Sequence, residues 1–521
     1  MLGASGNPQP TRSERFVRNV LWSWLGVAVT VASGIFLSPY LIRKLGDEGY
    51  GVWVLVFGLI ENYWLFDLGL RSAAVKYSAH YRATGETAKI NELINTGVVY
   101  FSFVALVLFG ISIVLSRHVD RVFQVSPEYR APFAFLIALV GTSWAFGMIF
   151  NIFTACLEGF QRFELSSRIA ISATVVRVAG TAVLLFLGHG LISLGFLVVA
   201  SQVFAYALSI LALRRVFPEQ RFSLRMARLA MFRQMIAYGV HTLTSGVATQ
   251  LINQAAPLLI GVFRPAAYVG YFSLPVRLLQ YTGDAVDRVG LITSSSAAEL
   301  VAKEERDAIP RLGMYVNRYC LTLFLPLAVF LFFYGRELIR VWIRKPDFVA
   351  MSAPLLPVLL IGTTLAIAGQ VNSSSILYGM AKHRGYARGL LVEGIALAAA
   401  LYFVVPRFGI MGAAWVASVL MVLDRGIFTP WLLCRHLDFS FGRYMRSIYL
   451  RPMLAAAPVA AFAWGLKPAA LPGDNLIQVL AAGAAIAAVY YPLAFFLCVD
   501  SRHRPLVVHW IAKRSKRLTP A

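Results

Sequence analysis

Charge is what this chain has least of. Only 14% of its 521 residues are charged and just 25 are acidic, against 58% hydrophobic, too little polarity to solvate the surface of an ordinary soluble domain. Long polar stretches are missing too. The connecting segments reach about twenty residues, too short to fold alone, which excludes the substantial external loop expected of a membrane glycosyltransferase or polymerase. Cysteine is down to four residues. Cys156, Cys320, Cys434 and Cys498 lie in or at the ends of separate apolar stretches, with His436 and His503 as isolated neighbours, a spacing that speaks for packing and against a disulfide framework or a metal site. There is no Gly-rich Walker loop to cradle nucleotide phosphates and no His-Glu-x-x-His zinc motif. Asp284-Ala-Val-Asp287 superficially resembles a metal-binding pair, yet it lies inside an apolar run. No cofactor is implied.

What the chain has instead is apolar length. Mean hydropathy is +0.68, and stretches able to cross roughly 30 Å of hydrocarbon fall at 18–42, 50–70, 93–116, 131–156, 169–187 and 191–213, then at 234–263, 269–297, 315–335, 351–379, 389–405 and 411–434, and finally at 450–466 and 476–498. This predicts an all-α polytopic membrane protein of about fourteen helices. The first run is too long for a signal peptide and lacks a small-x-small cleavage site. With the N-terminus inside, lysine and arginine in or bordering the inner loops sum to about 32 against about 12 outside, which places both termini in the cytoplasm. The formal net charge of +23 is spread over every inner loop, so it fits topology and attraction to anionic membrane lipids and excludes a nucleic-acid partner.

A sequence echo divides the chain. Leu157-Glu-Gly-Phe-Gln-Arg162 precedes a span ending at Gly190-Leu-Ile-Ser-Leu-Gly195, and Leu377-Tyr-Gly-Met-Ala-Lys382 precedes one ending at Gly409-Ile-Met-Gly412. A second echo at nearly the same offset pairs Leu41-Ile42 and Tyr50-Gly51 with Leu259-Ile260 and Val269-Gly270. Two matches at one offset predict a duplicated bundle with the substrate path between its repeats. The expected organisation is an N-lobe over 1–213, a basic linker over 214–233, a C-lobe over 234–434, and helices 13 and 14 with a basic tail over 435–521.

A charged group inside a span needs a partner, water or a task. In the eighth span Arg277, Tyr281, Asp284 and Arg288 share a face, with Gln280 and Asp287 at its margin. Asp284 and Arg288 can neutralise each other; Arg277 then remains uncompensated, which points to a water-filled cavity, a structural stripe being the alternative. Gln250, Asn253 and Gln254 share about one turn before Pro257, suited either to gluing helices or to meeting sugar hydroxyls. Gln370, Asn372, Ser373, Ser374 and Ser375 form a similar band. Glu61 lies mid-span, followed by Asn62, Tyr63 and Trp64, and can exchange a proton there. Asp67 is expected nearer the boundary and solvated. Arg177 is central in the fifth span beside Thr174 and Thr181, and its fork of donors matches phosphate oxygens. Glu393, Asp424 and Arg425 are expected near the cytoplasmic boundary, where snorkelling or a local pair competes with function.

The run Leu37-Ser-Pro-Tyr-Leu-Ile-Arg-Lys-Leu-Gly46-Asp-Glu-Gly-Tyr50-Gly51, then Asp67-Leu-Gly69-Leu-Arg71, resembles the start of the polysaccharide flippases that move O-antigen and exopolysaccharide units. Pro406-Arg-Phe-Gly409-Ile-Met-Gly412-Ala-Ala-Trp resembles their eleventh-to-twelfth helix junction. That family shares a superfamily with lipid II flippases and multidrug exporters, and the resemblance covers roughly residues 15–435. It implies two pseudo-symmetric six-helix lobes plus two further helices in the bacterial cytoplasmic membrane. It also implies transport of a polyprenyl-diphosphate-linked oligosaccharide by alternating access, in a pathway with a polysaccharide polymerase or glycosyltransferases as possible partners. Ion coupling is implied as well, for which Glu61, Asp284 and Asp287 are the available carriers. An ion-coupled multidrug antiporter and a membrane-embedded glycan-assembly enzyme or scaffold are the competing readings.

Overall fold

A computed structural model describes residues 12–470, 475–505 and 509; the side chains of 12–24, 27, 30, 240–243, 282, 284–292 and 467–470 lie outside that description. Every span expected from hydropathy falls on helical structure. Nine helices among the described residues are long and apolar enough to cross a membrane on their own, or up to ten if a bent pair counts as one span. Two long helices each combine two expected spans. The helix Arg12–Ile60 (α1) is divided at Gly46, with φ 77°, and the helix Arg384–Met421 is divided at Gly409, with φ 59°. Glycine alone takes this left-handed backbone without strain, so a single residue does the work of the loop expected there. Each break is tied off by a long polar side chain: the Tyr129 hydroxyl donates to the Leu45 carbonyl at 3.2 Å, and the Arg264 guanidinium donates to the Pro406 carbonyl at 2.8 Å.

The chain forms two compact units, Met1–Val247 with Pro265–Ala267, and Ala248–Arg264 with Tyr268–Ala521. Their boundary falls inside one helix, beyond the basic linker. Unit 1 contains α1, then α2 (Leu70–Ala83), α3 (Thr87–Val122), α4 (Pro127–Gly147), α5 (Asn151–Gly159), α6 (Phe163–Phe186), α7 (Leu191–Val216) and the start of α8 (Leu229–Phe263). Here α3 packs on α4, α1 on α6, α6 on α7 and α2 on α5. Unit 2 holds the rest of α8, α9 (Ala266–Ala302), α10 (Ile309–Ile343), α11 (Pro346–Ser352), α12 (Leu355–Gly369), α13 (Val371–Gly379), α14 (Arg384–Met421), a π-helical turn Val422–Phe428, α15 (Thr429–His436), α16 (Phe441–Ala470) and α17 (Leu476–Leu497). Its centre is α10 with α12 and α13, whose apolar windows are 61% buried, against 17% for α6 of unit 1. The peripheral helices keep apolar side chains outward, as lipid requires.

The sequence echo has a structural counterpart. At the end of α5, Gln161 takes φ 58°; its N–H donates to Glu158 O at 2.8 Å and the Arg162 N–H donates to Leu157 O at 2.9 Å. At the end of α13, Ala381 takes φ 57°, and the equivalent bonds run from Ala381 to Tyr378 O at 3.0 Å and from Lys382 to Leu377 O at 2.8 Å. Both are Schellman caps. The glycine two residues before each left-handed position packs without room for a side chain. A Cβ on Gly159 would lie 2.0 Å from Ser78 Oγ and 2.6 Å from Val75 O, and one on Gly379 would lie 2.4 Å from Ser294 O. Each unit thus carries one copy of a helix end seated on a neighbouring helix.

The basic linker is not a loose tether. Asn91 and Asn95 of α3, 5% and 3% exposed, line up four residues apart and pair with its backbone. Asn91 donates to Glu219 O at 3.0 Å and accepts from Arg221 N at 2.7 Å. Asn95 donates to Arg221 O at 2.8 Å and accepts from Ser223 N at 2.9 Å, and Thr96 Oγ1 accepts from Arg228 N at 3.0 Å. The two amides act as a strand would, satisfying an extended segment that has no sheet of its own.

Candidate functional site

In unit 1 the polar groups gather where a span breaks. The α-helix of span two tightens into a 3₁₀ helix over Glu61–Asp67, Leu68 and Gly69 take left-handed backbone, and α2 resumes at a bend of 48°. Broken helices free backbone groups that must find partners inside the protein. The Tyr100 hydroxyl supplies one, donating to Phe66 O at 2.9 Å. Tyr63 is buried and hydrogen-bonds Ser112 at 2.6 Å. Asp67, expected to be solvated, is only 3% exposed. Its Oδ2 accepts from Arg71 N at 3.4 Å, while Oδ1 has no hydrogen-bond partner; the break turns this carboxyl inward. Arg71 reaches the other way and pairs with Glu158 at 2.7 Å, linking α2 to α5.

Glu61 opens the 3₁₀ turn and is exposed, and Arg177 is exposed on α6; both engage other groups. The hydroxyls expected to surround Arg177 serve their own helix instead. Thr174 donates to Ala170 O at 2.8 Å and Thr181 to Arg177 O at 2.7 Å, the i−4 bonding open to any hydroxyl on a helix.

In unit 2 the three amides of α8 diverge. Gln254 is buried, Gln250 is half-buried and Asn253 is exposed. Arg277 is exposed on α9, with no ion-pair partner among the described residues. The side chains of Asp284, Asp287 and Arg288 lie outside the described residues. The band on α12 and α13 splits by role. Asn372 is fully buried, accepts from Thr293 Oγ1 at 2.9 Å and donates to Cys320 Sγ at 3.3 Å. Next to it Ser373 hydrogen-bonds Tyr444 at 3.2 Å, and Asn317 donates to both, at 3.1 and 2.9 Å. This network fastens α13 to α9, α10 and α16, the helix-gluing alternative. Gln370 is half-buried and donates to the Tyr386 hydroxyl at 2.7 Å.

Among the described residues of unit 2, Glu393, Asp424 and Arg425 come together, and the local pair that is one of the sequence expectations forms. Arg425 pairs with Glu393 at 3.0 Å, their side chains 19% and 2% exposed. Asp424 is 9% exposed, and its Oδ2 has no hydrogen-bond partner. The π-helical turn Val422–Phe428 rotates these two residues into the interior, a device often found at functional positions. Glu393 alone reaches the guanidinium, and Asp424 lies buried beside the pair. With both carboxyls ionised the cluster is negative, and a single proton neutralises it. Among the described residues no group of three or more His, Cys, Asp or Glu could hold a metal ion.

Comparison with known proteins shows what this architecture is shared with. A family model described as polysaccharide biosynthesis protein matches residues 16–282, more than half of the chain. A protein of Shigella flexneri assigned as an O-antigen transporter is 22% identical over 425 residues, 80% of this chain and 98% of its own length. Among solved structures, a lipid II flippase MurJ in an inward closed conformation aligns with a TM-score of 0.74 at 12% identity, over 94% of this chain and all of the other. An inward-facing multidrug resistance MATE family transporter of the MOP superfamily aligns with a TM-score of 0.63 at 13% identity, over 81% of this chain and 98% of its own. At these identities the structural likeness speaks for the fold alone.

Proposed function

Because the chain belongs to the polysaccharide biosynthesis protein family, we propose that it is a flippase. It carries a polyprenyl-diphosphate-linked oligosaccharide across the bacterial cytoplasmic membrane by alternating access, driven by an ion gradient, in surface polysaccharide assembly. The observation that carries this reading is the near full-length match to the O-antigen transporter, on a fold shared with a lipid II flippase. The physics agrees with the cargo. Sugar hydroxyls and a diphosphate cannot enter hydrocarbon unsatisfied, and unit interiors holding broken helices, free carboxyl oxygens and amides can replace their water.

Both termini are proposed to be cytoplasmic, with spans one to six and seven to twelve as pseudo-symmetric lobes. Arg177 and Arg277 are the proposed contacts for the diphosphate, since a guanidinium keeps its charge throughout a cycle. Gln250, Asn253, Gln254 and Gln370 are the proposed partners for sugar hydroxyls. For ion coupling, Glu61, Asp284 and Asp287 remain candidates, and the Glu393, Asp424 and Arg425 cluster joins them because its charge changes with one proton. The test is depletion of the protein in its host, with identification of the lipid-linked intermediate that collects in the inner leaflet. A multidrug antiporter is the second reading, favoured by the MATE-like fold; cells lacking the protein would then gain drug sensitivity and keep their surface glycan.

A further inference from the structure

A cavity of about 480 Å³ opens in unit 1 where the last turns of α2 and the first turns of α3 and α8 meet. This lies within the range of small-molecule sites. It sits at the end of the bundle that carries the strapped linker, which is the cytoplasmic end on the orientation proposed above, and away from the mid-span Arg177.

The lining combines groups that rarely serve one purpose. Lys76 has no ion-pair partner among the described residues; its Nζ lies 4.1 Å from the centre of the Tyr238 ring and 5.4 Å from that of Tyr77. An ammonium held by ring faces keeps N–H donors for an incoming anion. Lys89 differs, being tied to Glu86. Tyr81, only 4% exposed, forms the floor and donates to Gln234 Oε1 at 3.4 Å, which leaves the Gln234 amide hydrogens available. Glu92 adds a carboxylate to the wall. A bare anion would be repelled by Glu92, whereas a sugar hydroxyl would donate to it. The fitting ligand is anionic at one end and a hydroxylated ring at the other, since tyrosine faces and a carboxylate suit sugar while a free ammonium suits phosphate.

We propose that this cavity is a loading site for the glycosyl diphosphate head of the lipid-linked substrate, with phosphate at Lys76 and the first sugar against Tyr77 and Glu92, both of which line it. The proposal rests on the flippase reading. Its test uses the full-length purified chain and three probes: farnesyl-diphosphoryl-N-acetylglucosamine, farnesyl diphosphate and inorganic pyrophosphate, with affinities read by thermophoresis. Lys76→Gln should weaken both farnesyl probes about tenfold and Lys76→Arg should restore them. Glu92→Gln should weaken the glycosylated probe alone, by about fivefold. Lys303→Gln, which removes an equal charge from an exposed pair with Glu299, should change neither. Affinities within about twofold of wild type for both Lys76→Gln and Glu92→Gln would overturn the site, as would pyrophosphate binding as tightly as the glycosylated probe. If Lys76→Gln fails to fold by thermal melting, Glu92→Gln and Lys76→Arg still decide. Reconstituted transport separates the two readings. Wild-type flipping with Lys76-independent binding removes the loading site alone, and Lys76-dependent binding without any flipping removes the flippase.

Discussion

Replacing Asn95 with alanine should release the basic linker from α3. The substitution deletes the bond to Arg221 O at 2.8 Å and the bond from Ser223 N at 2.9 Å. Each is worth about 1 kcal/mol net, and the freed backbone groups are near enough to the surface to find water, so the loss should be about 2 kcal/mol. That corresponds to roughly thirtyfold more detached linker. Trypsin reports it directly, because Arg221 and Arg225 lie within the strap and cleavage follows the open population when reclosing is fast. In membrane vesicles with the linker facing the protease, Asn95→Ala should be cut about thirty times faster than wild type. Asn91→Ala with Asn95→Ala should be cut faster still, the two energies adding at most to about 4 kcal/mol. The transition temperature of the rest of the chain should hardly move. Equal cleavage of wild type and the double variant would refute the idea that these amides hold the linker.

The other predictions address the duplicated caps and the charges. Gly379→Ala meets a backbone oxygen at 2.4 Å that cannot swing away, so it should cost about 1–3 kcal/mol, seen as a lower melting temperature in detergent; Gly159→Ala, facing Val75 O as well as a serine hydroxyl, should behave alike. Glu393→Gln removes the carboxylate that pairs with Arg425 and should destabilise by about 3–5 kcal/mol, whereas Glu393→Met with Arg425→Met should recover part of it; pH-dependent transport retained when Asp424→Asn is added to that double variant would remove the cluster from the coupling list. Glu61→Gln should abolish the pH response of transport while Arg177→Lys keeps partial activity; transport unchanged in both would remove their proposed roles.

Much of the fold was legible because hydrocarbon imposes length and polarity on every span. The echo around Leu157 and Leu377 was legible for a local reason: a Schellman cap is written in a few adjacent residues. Asn91 and Asn95 were silent, since their partners lie beyond Pro218 in sequence and nothing near them signals a ligand. Asp67, expected to be solvated, was misplaced for a related reason, and the burial of Asp424 was equally silent, although a local pair for Arg425 was among the expectations. Hydropathy gives depth along an ideal helix, and a 3₁₀ break or a π turn changes which way a side chain points without changing the composition. That the Thr174 and Thr181 hydroxyls bond their own helix was likewise hidden, because a shared helix face does not say which acceptor a hydroxyl will choose.

The central claim is tested most directly by reconstituting the purified protein in vesicles holding a fluorescent polyprenyl-diphosphate-linked oligosaccharide and following access of a membrane-impermeant quencher to the glycan. The flippase account predicts that an imposed ion gradient speeds exchange of the glycan between leaflets far above protein-free vesicles. Exchange at the protein-free rate, in protein shown to be folded and under gradients of both H⁺ and Na⁺, would contradict it.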